Sequence, residues 1–402
     1  MKPILLKGGT IYTEKKAITN GYLLMEGEKI VSIGEGDSPE PIAAMTVIEL
    51  PTEAKILPGM IDLHIHGAGG SDVMDATEDA LTTMATLLPK EGTTSFLATT
   101  MTQRPVAIEA ALTTIERYRK KQNKPGKAEV LGVHLEGPFL SPKRAGAQPT
   151  EYITPPQIAL FSQWQQLSGN SIKLVTFAPE ERDGLLFAHY LQQQQVIASI
   201  GHSDATYEEV KRAIKAGVTH ATHVYNGMRG LHHREPGVVG AVFLHEEITA
   251  EIIADGIHAT PEMVKLAYQN KGSERLVLIT DAMRAKCMGD GTYILGGQDV
   301  IVKGKKATLA SDGALAGSIL KMNEAAKNMQ QFTRCSTEAI IQMTASNQAK
   351  ELGIYHKKGS LTAGKDADVV VMNEASQVLY TFCRGKLAYR IEEGNDENCS
   401  SR

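Results

Sequence analysis

The chain has 402 residues, 42% of them apolar and 22% charged, with a formal net charge of −4. This length suffices for one large domain and a smaller one, and the absence of long basic or acidic runs argues against electrostatic binding to nucleic acid or anionic lipid. No stretch approaches the ~20 apolar residues a membrane helix needs, and the apolar run within 1–7 is too short for a signal peptide. The four cysteines (Cys287, Cys335, Cys383, Cys399) are scattered without CxxC spacing, which fits neither a disulfide framework nor a cysteine metal site. A cytoplasmic protein with no membrane and no nucleic-acid partner is the simplest expectation.

Residues 1–57 read as short strands, with a turn at Asn20-Gly21 and Gly27 between the runs 22–25 and 29–33. From Pro58 the texture changes to short apolar runs at 60–66, 93–99, 129–136, 172–178, 196–202, 218–223, 248–255 and 276–281. Helical patterns lie between most of them, such as Val106, Ala110, Leu112, Ile115 and Tyr118, or Val210, Ala213, Ile214 and Gly217. Helix-length connections imply parallel strands, and eight such units predict a closed (β/α)8 TIM barrel. An open doubly wound sheet usually has fewer strands and a Gly-rich first turn, which is absent.

Two segments interrupt the repeat: a Pro- and Gly-rich loop at 137–156 and a strand insertion at 285–310. Helices resume over 318–351, and strand texture returns at 369–372 and 378–382. Neither chain end can build a core alone, so the ends are expected to pair as one small β-sandwich. The expected organisation is therefore α/β, with a catalytic barrel at 58–352 and a sandwich from 1–57 and 353–402. The polar tail from Glu392 is expected to fray.

The residues closing these strands are not core residues. The first run ends His64-Ile65-His66-Gly67, and a period of two puts both imidazoles on one face. The third ends His134-Leu135-Glu136-Gly137-Pro138, the fifth Gly201-His202-Ser203-Asp204, the sixth Thr222-His223 and the eighth Thr280-Asp281-Ala282. In a parallel barrel these positions converge at one mouth. His64, His66, Glu136, His202, His223 and Asp281 together make a ligand set for one or two divalent metals; barrel packing alone would favour Val, Ile or Leu there. Such sites with an open position bind water and lower its pKa towards neutrality, and Asp281 can both ligate and shuttle a proton. The pattern predicts a metal-dependent hydrolase. His220 and Trp164 are most simply read as structural; His134 points the same way as Glu136, so it either reaches the site or is a satisfied barrel-interior histidine, and Asp62 either supports the site or hydrogen-bonds at the barrel base.

These ligands resemble those of the amidohydrolase superfamily. His134-Leu135-Glu136-Gly137-Pro138-Phe139, Gly201-His202-Ser203-Asp204-Ala205, Thr222-His223-Val224-Tyr225-Asn226, His233-Arg234-Glu235-Pro236-Gly237, Ala254-Asp255-Gly256-Ile257-His258 and Ile279-Thr280-Asp281-Ala282-Met283 resemble the N-acetylglucosamine-6-phosphate deacetylase family. Gly364-Lys365-Asp366-Ala367-Asp368 resembles the superfamily's return to its β-domain. The resemblance implies hydrolysis of the acetamide of an amino-sugar phosphate. It implies one metal on Glu136, His202 and His223, a second on His64, His66 and Asp281, and Asp281 as base and then acid. The ligands do not decide among Fe, Zn, Mn and Co, all of which accept mixed nitrogen and oxygen donors. It also implies substrate contacts from Asn226 and the backbone at Gly227, and phosphate contacts from Arg234 and His258. In a homodimer, Arg234 would serve the neighbouring subunit's site. Gln148 stands where some relatives carry His, so it can donate a hydrogen bond but carry no proton. Gly227 stands where the family usually has Ala. The alternatives are a superfamily hydrolase with another substrate, such as a cyclic-amidine deaminase, and a non-catalytic scaffold. The Glu136 motif and His233-Arg234-Glu235-Pro236-Gly237 argue against the deaminase. The intact ligand set argues against the scaffold.

Overall fold

The computed structural model describes residues 2–36 and 45–392; the tail expected to fray lies outside them, as does Cys399. Eight parallel strands form one sheet in sequence order: β1 (Met60–Ile65), β2 (Thr93–Thr100), β3 (Glu129–Glu136), β4 (Ile172–Phe177), β5 (Ile197–Ile200), β6 (Val218–Ala221), β7 (Thr249–Ile252) and β8 (Leu276–Leu278). Strands buried on both faces need near-continuous apolar sequence, and every residue of β1, β2, β7 and β8 is buried. The sheet closes where Ile65 bridges Ala282, the Asp281 amide donates to His64 O at 2.8 Å, and the His66 amide donates to Ala282 O at 2.8 Å. The seam is thus sewn by the backbone of three of the metal-type residues.

The connecting helices carry ordinary start and stop signals. The helix Pro105–Lys121 opens on proline, whose missing N–H costs nothing in the first turn. The helix Tyr207–Ala216 is opened by a Thr206/Glu209 capping box and ended by Gly217 at φ 117°. The insertion after β8 is a three-stranded antiparallel sheet, Gly291–Leu295, Gln298–Lys303 and Lys306–Leu309. Its apolar face packs with Met101 and Met283, so it stands beside the barrel mouth.

The two chain ends do pair. Val369–Met372 runs antiparallel to Lys55–Pro58 in a six-stranded sheet, and a four-stranded sheet is built from 4–49. Leu6, Ile11, Leu23, Ile56, Val369, Val371 and Phe382 fill one core between them. The Asn20-Gly21 turn has Asn20 at φ 52°, and Gly27 turns the hairpin Gly21–Glu26/Lys29–Glu35 at φ 60°.

Candidate active site

Along β1, the side chains of Asp62 and His64, followed by His66 just past the strand end, share one face at a period of two. Asp62 is a brace at the base: its Oδ2 accepts from Thr280 Oγ1 at 2.6 Å and its Oδ1 from the His64 amide at 3.2 Å. Burial pushes its carboxyl up to about 6, although Lys286 and Thr280 work in the opposite direction.

Glu136 ends β3 at the centre of the mouth. Its Oε1 lies 3.2 Å from His202 Nε2, 3.1 Å from His223 Nε2 and 3.5 Å from His64 Nε2. Its Oε2 lies 3.2 Å from His66 Nε2 and accepts from Gln148 Nε2 at 2.8 Å. Asp281 Oδ1 completes the ring, 3.4 Å from His64 Nε2 and 3.3 Å from His66 Nε2. Two triads have ligand atoms close enough to share an ion, Glu136/His202/His223 and His64/His66/Asp281.

The outer nitrogens fix what the inner ones can do. His202 Nδ1 is 2.8 Å from Arg144 O and His223 Nδ1 is 3.1 Å from Asn226 O. A carbonyl only accepts, so both rings carry hydrogen on Nδ1, and in their neutral form both Nε2 atoms are bare acceptors. Those two atoms are 3.2 Å apart and both face a carboxylate oxygen. Three acceptors at that separation repel unless a cation or protons lie among them. The buried His64 Nε2 and His66 Nδ1 have no hydrogen-bond partner. The donor set therefore fits a divalent metal, with mixed nitrogen and oxygen ligands.

The charge balance agrees. Burial opposes charge on His66, yet Asp281 and Glu136 outweigh it and push the imidazole up to about 9. Burial would raise Glu136, but the surrounding imidazoles, His64 foremost, hold it well below the usual carboxylate range. The carboxylates thus stay ionised and pull positive charge into the mouth.

His202, His223 and Asp281 lie just past the ends of β5, β6 and β8 rather than within them, with φ of 47°, 32° and 48°. For a non-glycine residue the left-handed region costs roughly 1–2 kcal/mol, and such outliers gather at functional sites.

These groups floor a cavity of about 130 Å³. Gln148, Asn226, Gly227 and His258 line it, and Met101, Leu295 and Leu315 form its apolar wall. His258 is paired with Asp255 at 2.6 Å; burial opposes its charge, but Asp255 raises its pKa. Arg234 is not among the lining residues: it lies exposed on the turn after His232, its Nη1 2.8 Å from His233 Nε2. Gln148 is committed at both ends, since its Oε1 also accepts from the Thr102 amide at 2.9 Å.

Of the two readings open for His134, the structure gives the satisfied interior histidine: Nδ1 lies 3.2 Å from Leu63 O and Nε2 2.7 Å from Thr176 Oγ1. Trp164 is packing, stacked on Phe139. Sequence reasoning missed Glu251, fully buried on β7 with a carboxylate oxygen 3.0 Å from His64 Nδ1. Its signal was present as a lone carboxylate inside the apolar run 248–254.

The amidohydrolase family model matches residues 56–388. The N-acetylglucosamine-6-phosphate deacetylase of Bacillus subtilis is 48% identical over 393 residues, covering 98% of each chain. The chain belongs to the amidohydrolase family and, within it, to the N-acetylglucosamine-6-phosphate deacetylases. An N-acetylgalactosamine-6-phosphate deacetylase of Escherichia coli O157:H7 is 40% identical over 87% of this chain and 91% of that one. Among solved structures, the Mycobacterium smegmatis N-acetyl-D-glucosamine-6-phosphate deacetylase, a mutant in complex with N-acetyl-D-glucosamine-6-phosphate, matches with a TM-score of 0.89 at 30% identity, over 96% of this chain and all of that one. As an amidohydrolase this chain is a metal-dependent hydrolase acting on an amide, and the two triads of its mouth are where its own residues fit the metal.

Proposed function

We propose that this chain hydrolyses N-acetyl-D-glucosamine 6-phosphate to D-glucosamine 6-phosphate and acetate, in amino-sugar catabolism and cell-wall sugar recycling. The observation that carries the reading is the convergence of two acid–imidazole triads at one small cavity, lined by all of their residues but the fully buried His64, in a chain 48% identical to a deacetylase of that substrate.

In this reading Glu136, His202 and His223 hold one divalent ion, and His64, His66 and Asp281 a second. Zn, Fe, Mn or Co all suit such mixed ligands. A metal here supplies Lewis acidity to the acetamide carbonyl and acidifies water. Asp281 accepts the proton that water loses as it adds to the carbonyl carbon. The carbon–nitrogen bond then breaks, and the same carboxyl returns the proton to the departing amine. Gln148 holds Glu136 in place by its 2.8 Å hydrogen bond. Asn226 and the Gly227 backbone hold the sugar. His258, oriented by Asp255, which raises its pKa against the effect of burial, faces the phosphate.

Arg234 lies away from its own cavity, which favours a homodimer in which it reaches the neighbouring site; its planar fork suits a phosphate. The catalytic unit is assigned to 58–352 and the sandwich to 1–57 with 353–402. A phosphorylated sugar does not cross membranes, so the place of action is the cytoplasm; no helix among the described residues is long and apolar enough to span a bilayer.

The test is acetate release from purified protein given N-acetylglucosamine 6-phosphate, with and without chelator. Release that chelation abolishes and divalent metal restores is the expected result. The 40% identity to an N-acetylgalactosamine-6-phosphate deacetylase makes that epimer the comparison substrate. Faster release from it would move the assignment there.

A further inference from the structure

Glu251 sits at the middle of β7 with no exposure, and its carboxylate serves three partners. Oε2 lies 3.0 Å from His64 Nδ1 and accepts from the His223 amide at 3.3 Å, while Oε1 lies 3.2 Å from His220 Nε2. On its far side His220 is held by Glu351, with Nδ1 3.3 Å from Oε2. An ionised carboxylate only accepts, so the neutral tautomer of His64 that satisfies Glu251 has its one hydrogen on Nδ1. His64 therefore carries hydrogen on Nδ1, and its Nε2 is the atom turned towards Glu136 and Asp281, at 3.5 and 3.4 Å. That nitrogen is buried and makes no hydrogen bond. The same oxygen that sets the His64 ring also pins the amide of His223, whose left-handed turn belongs to the other triad.

Glu251 could instead be a ligand itself, since it lies close enough to His64 and His134 to share an ion. That fails on His134, whose two nitrogens are already taken by Leu63 O and Thr176 Oγ1.

We propose that Glu251 is a positioning residue that fixes the tautomer and ring plane of His64, and thereby sets the metal affinity of the His64/His66/Asp281 triad. This rests on reading that triad as a metal site. Carboxylates that orient ligating histidines are typically worth about 10–100-fold in metal affinity.

The experiment titrates metal-free protein with cobalt(II) against a competing chelator, following cobalt absorption. The binding step missing from a His66→Ala variant identifies the His64 triad. Glu251→Gln is nearly isosteric, but its amide cannot accept from both imidazoles. The expected result is a loss of about 10–100-fold in that step with an altered cobalt spectrum, while the other step, touched by Glu251 only through the His223 amide, weakens far less and the thermal midpoint moves little. Glu251→Asp is the second variant should the first not fold. It keeps the charge but draws the carboxylate back by about 1.5 Å, one carbon–carbon bond, and is expected to weaken the same step. Unchanged affinity in the folded variant overturns the proposal. So does equal weakening of both steps with a lowered midpoint, which is what a merely structural carboxylate would give. Wild-type protein with no step dependent on His66 would instead overturn the metal reading of the triad, and this assignment with it.

Discussion

Two clusters of buried charge differ in what they leave unfinished. Where the C-terminal return meets the base of β3, Lys358 is buried among carboxylates, its Nζ 2.8 Å from Glu129 Oε2, 3.4 Å from Asp366 Oδ2 and hydrogen-bonded to Asp368. Deeper in, the fully buried Lys286 pairs with Glu91 at 2.6 Å. There, cation answers anion within the chain. At the mouth, carboxylates instead meet imidazoles, and in His64, His202 and His223 the outer nitrogen is committed to Glu251, Arg144 O and Asn226 O while the inner one faces the carboxylates. The first arrangement completes itself and holds the framework; the second is completed only by something bound. Buried charge by itself therefore says little about function, whereas buried acceptors aimed at one another say a good deal.

The sharpest way to break the comparison is to neutralise one charge on each side. Asp281→Asn should keep the fold and the binding of a phosphorylated ligand while turnover falls by roughly 10³-fold or more, general acid–base work alone being worth about 10²–10⁴-fold. Acetate release measured beside ligand titration checks it, and near-normal turnover would remove the proton shuttle from Asp281. Lys358→Met should do the reverse. Removing one partner of a buried ion pair costs about 3–5 kcal/mol, so urea unfolding should show a large loss of stability, with the remaining folded enzyme turning over normally.

The same lysine gives a pH dependence. Burial would lower Lys358, but Asp368 and Glu129 outweigh it and hold its pKa above the ordinary value. A raised folded pKa means the stabilisation is complete below the unfolded value, about 10.4, and fades as pH climbs through the folded one. The stability gap between wild type and Lys358→Met should stay constant up to about pH 10 and narrow above it. A gap that does not narrow above about pH 10 would mean that the stabilisation does not depend on the charge of Lys358.

The contrast between the clusters also marks what the sequence could tell. Strand ends reading HxH, HLEGP, GHSD and TDA were legible because metal-type residues are out of place where barrel packing wants branched apolar side chains. The pairing of the chain ends was legible because neither half holds enough apolar residues for a core. Glu251 was overlooked because His64 and Glu251 are 187 positions apart and meet only when the barrel closes. The left-handed turns at His202, His223 and Asp281 were equally hidden, since His and Asp adopt a positive φ more often than most residues but too rarely for the type alone to place one. His220, taken as structural, is so, but as a fully buried member of the Glu251 network rather than a bystander.

A smaller effect sharpens the account of the cavity rim. Arg234 is exposed and outside its own cavity, so Arg234→Ala should leave stability alone. If it meets the phosphate from a partner subunit, KM for the phosphorylated sugar should rise about 10–100-fold, the worth of a hydrogen bond to a charged group. The plain sugar should be nearly unaffected. Mixing Arg234→Ala with an Asp281→Asn protein distinguishes the two geometries. Hybrid dimers then contain one site with an intact Asp281 fed by an intact Arg234 of the other chain, and activity with full affinity returns only if the arginine acts across the interface.

The smallest expected effect concerns Gly227. Its φ is +59°, and an added Cβ would stand 2.9 Å from His202 Nδ1. His202 has little freedom to withdraw, because that nitrogen is bonded to Arg144 O at 2.8 Å and its other nitrogen faces Glu136. Gly227→Ala gains about 0.4–1 kcal/mol by restricting the unfolded chain and loses about 1–2 kcal/mol to the left-handed backbone. The net loss of stability should be about 1 kcal/mol. A slight shift of the 223–229 loop that relieves the Cβ contact would keep the effect on metal affinity to a few-fold. Thermal melting and a chelator titration would measure both. A higher melting midpoint with unchanged metal affinity would mean that the loop yields freely, and that the committed outer nitrogen of His202 is less firmly held than the rest of the mouth.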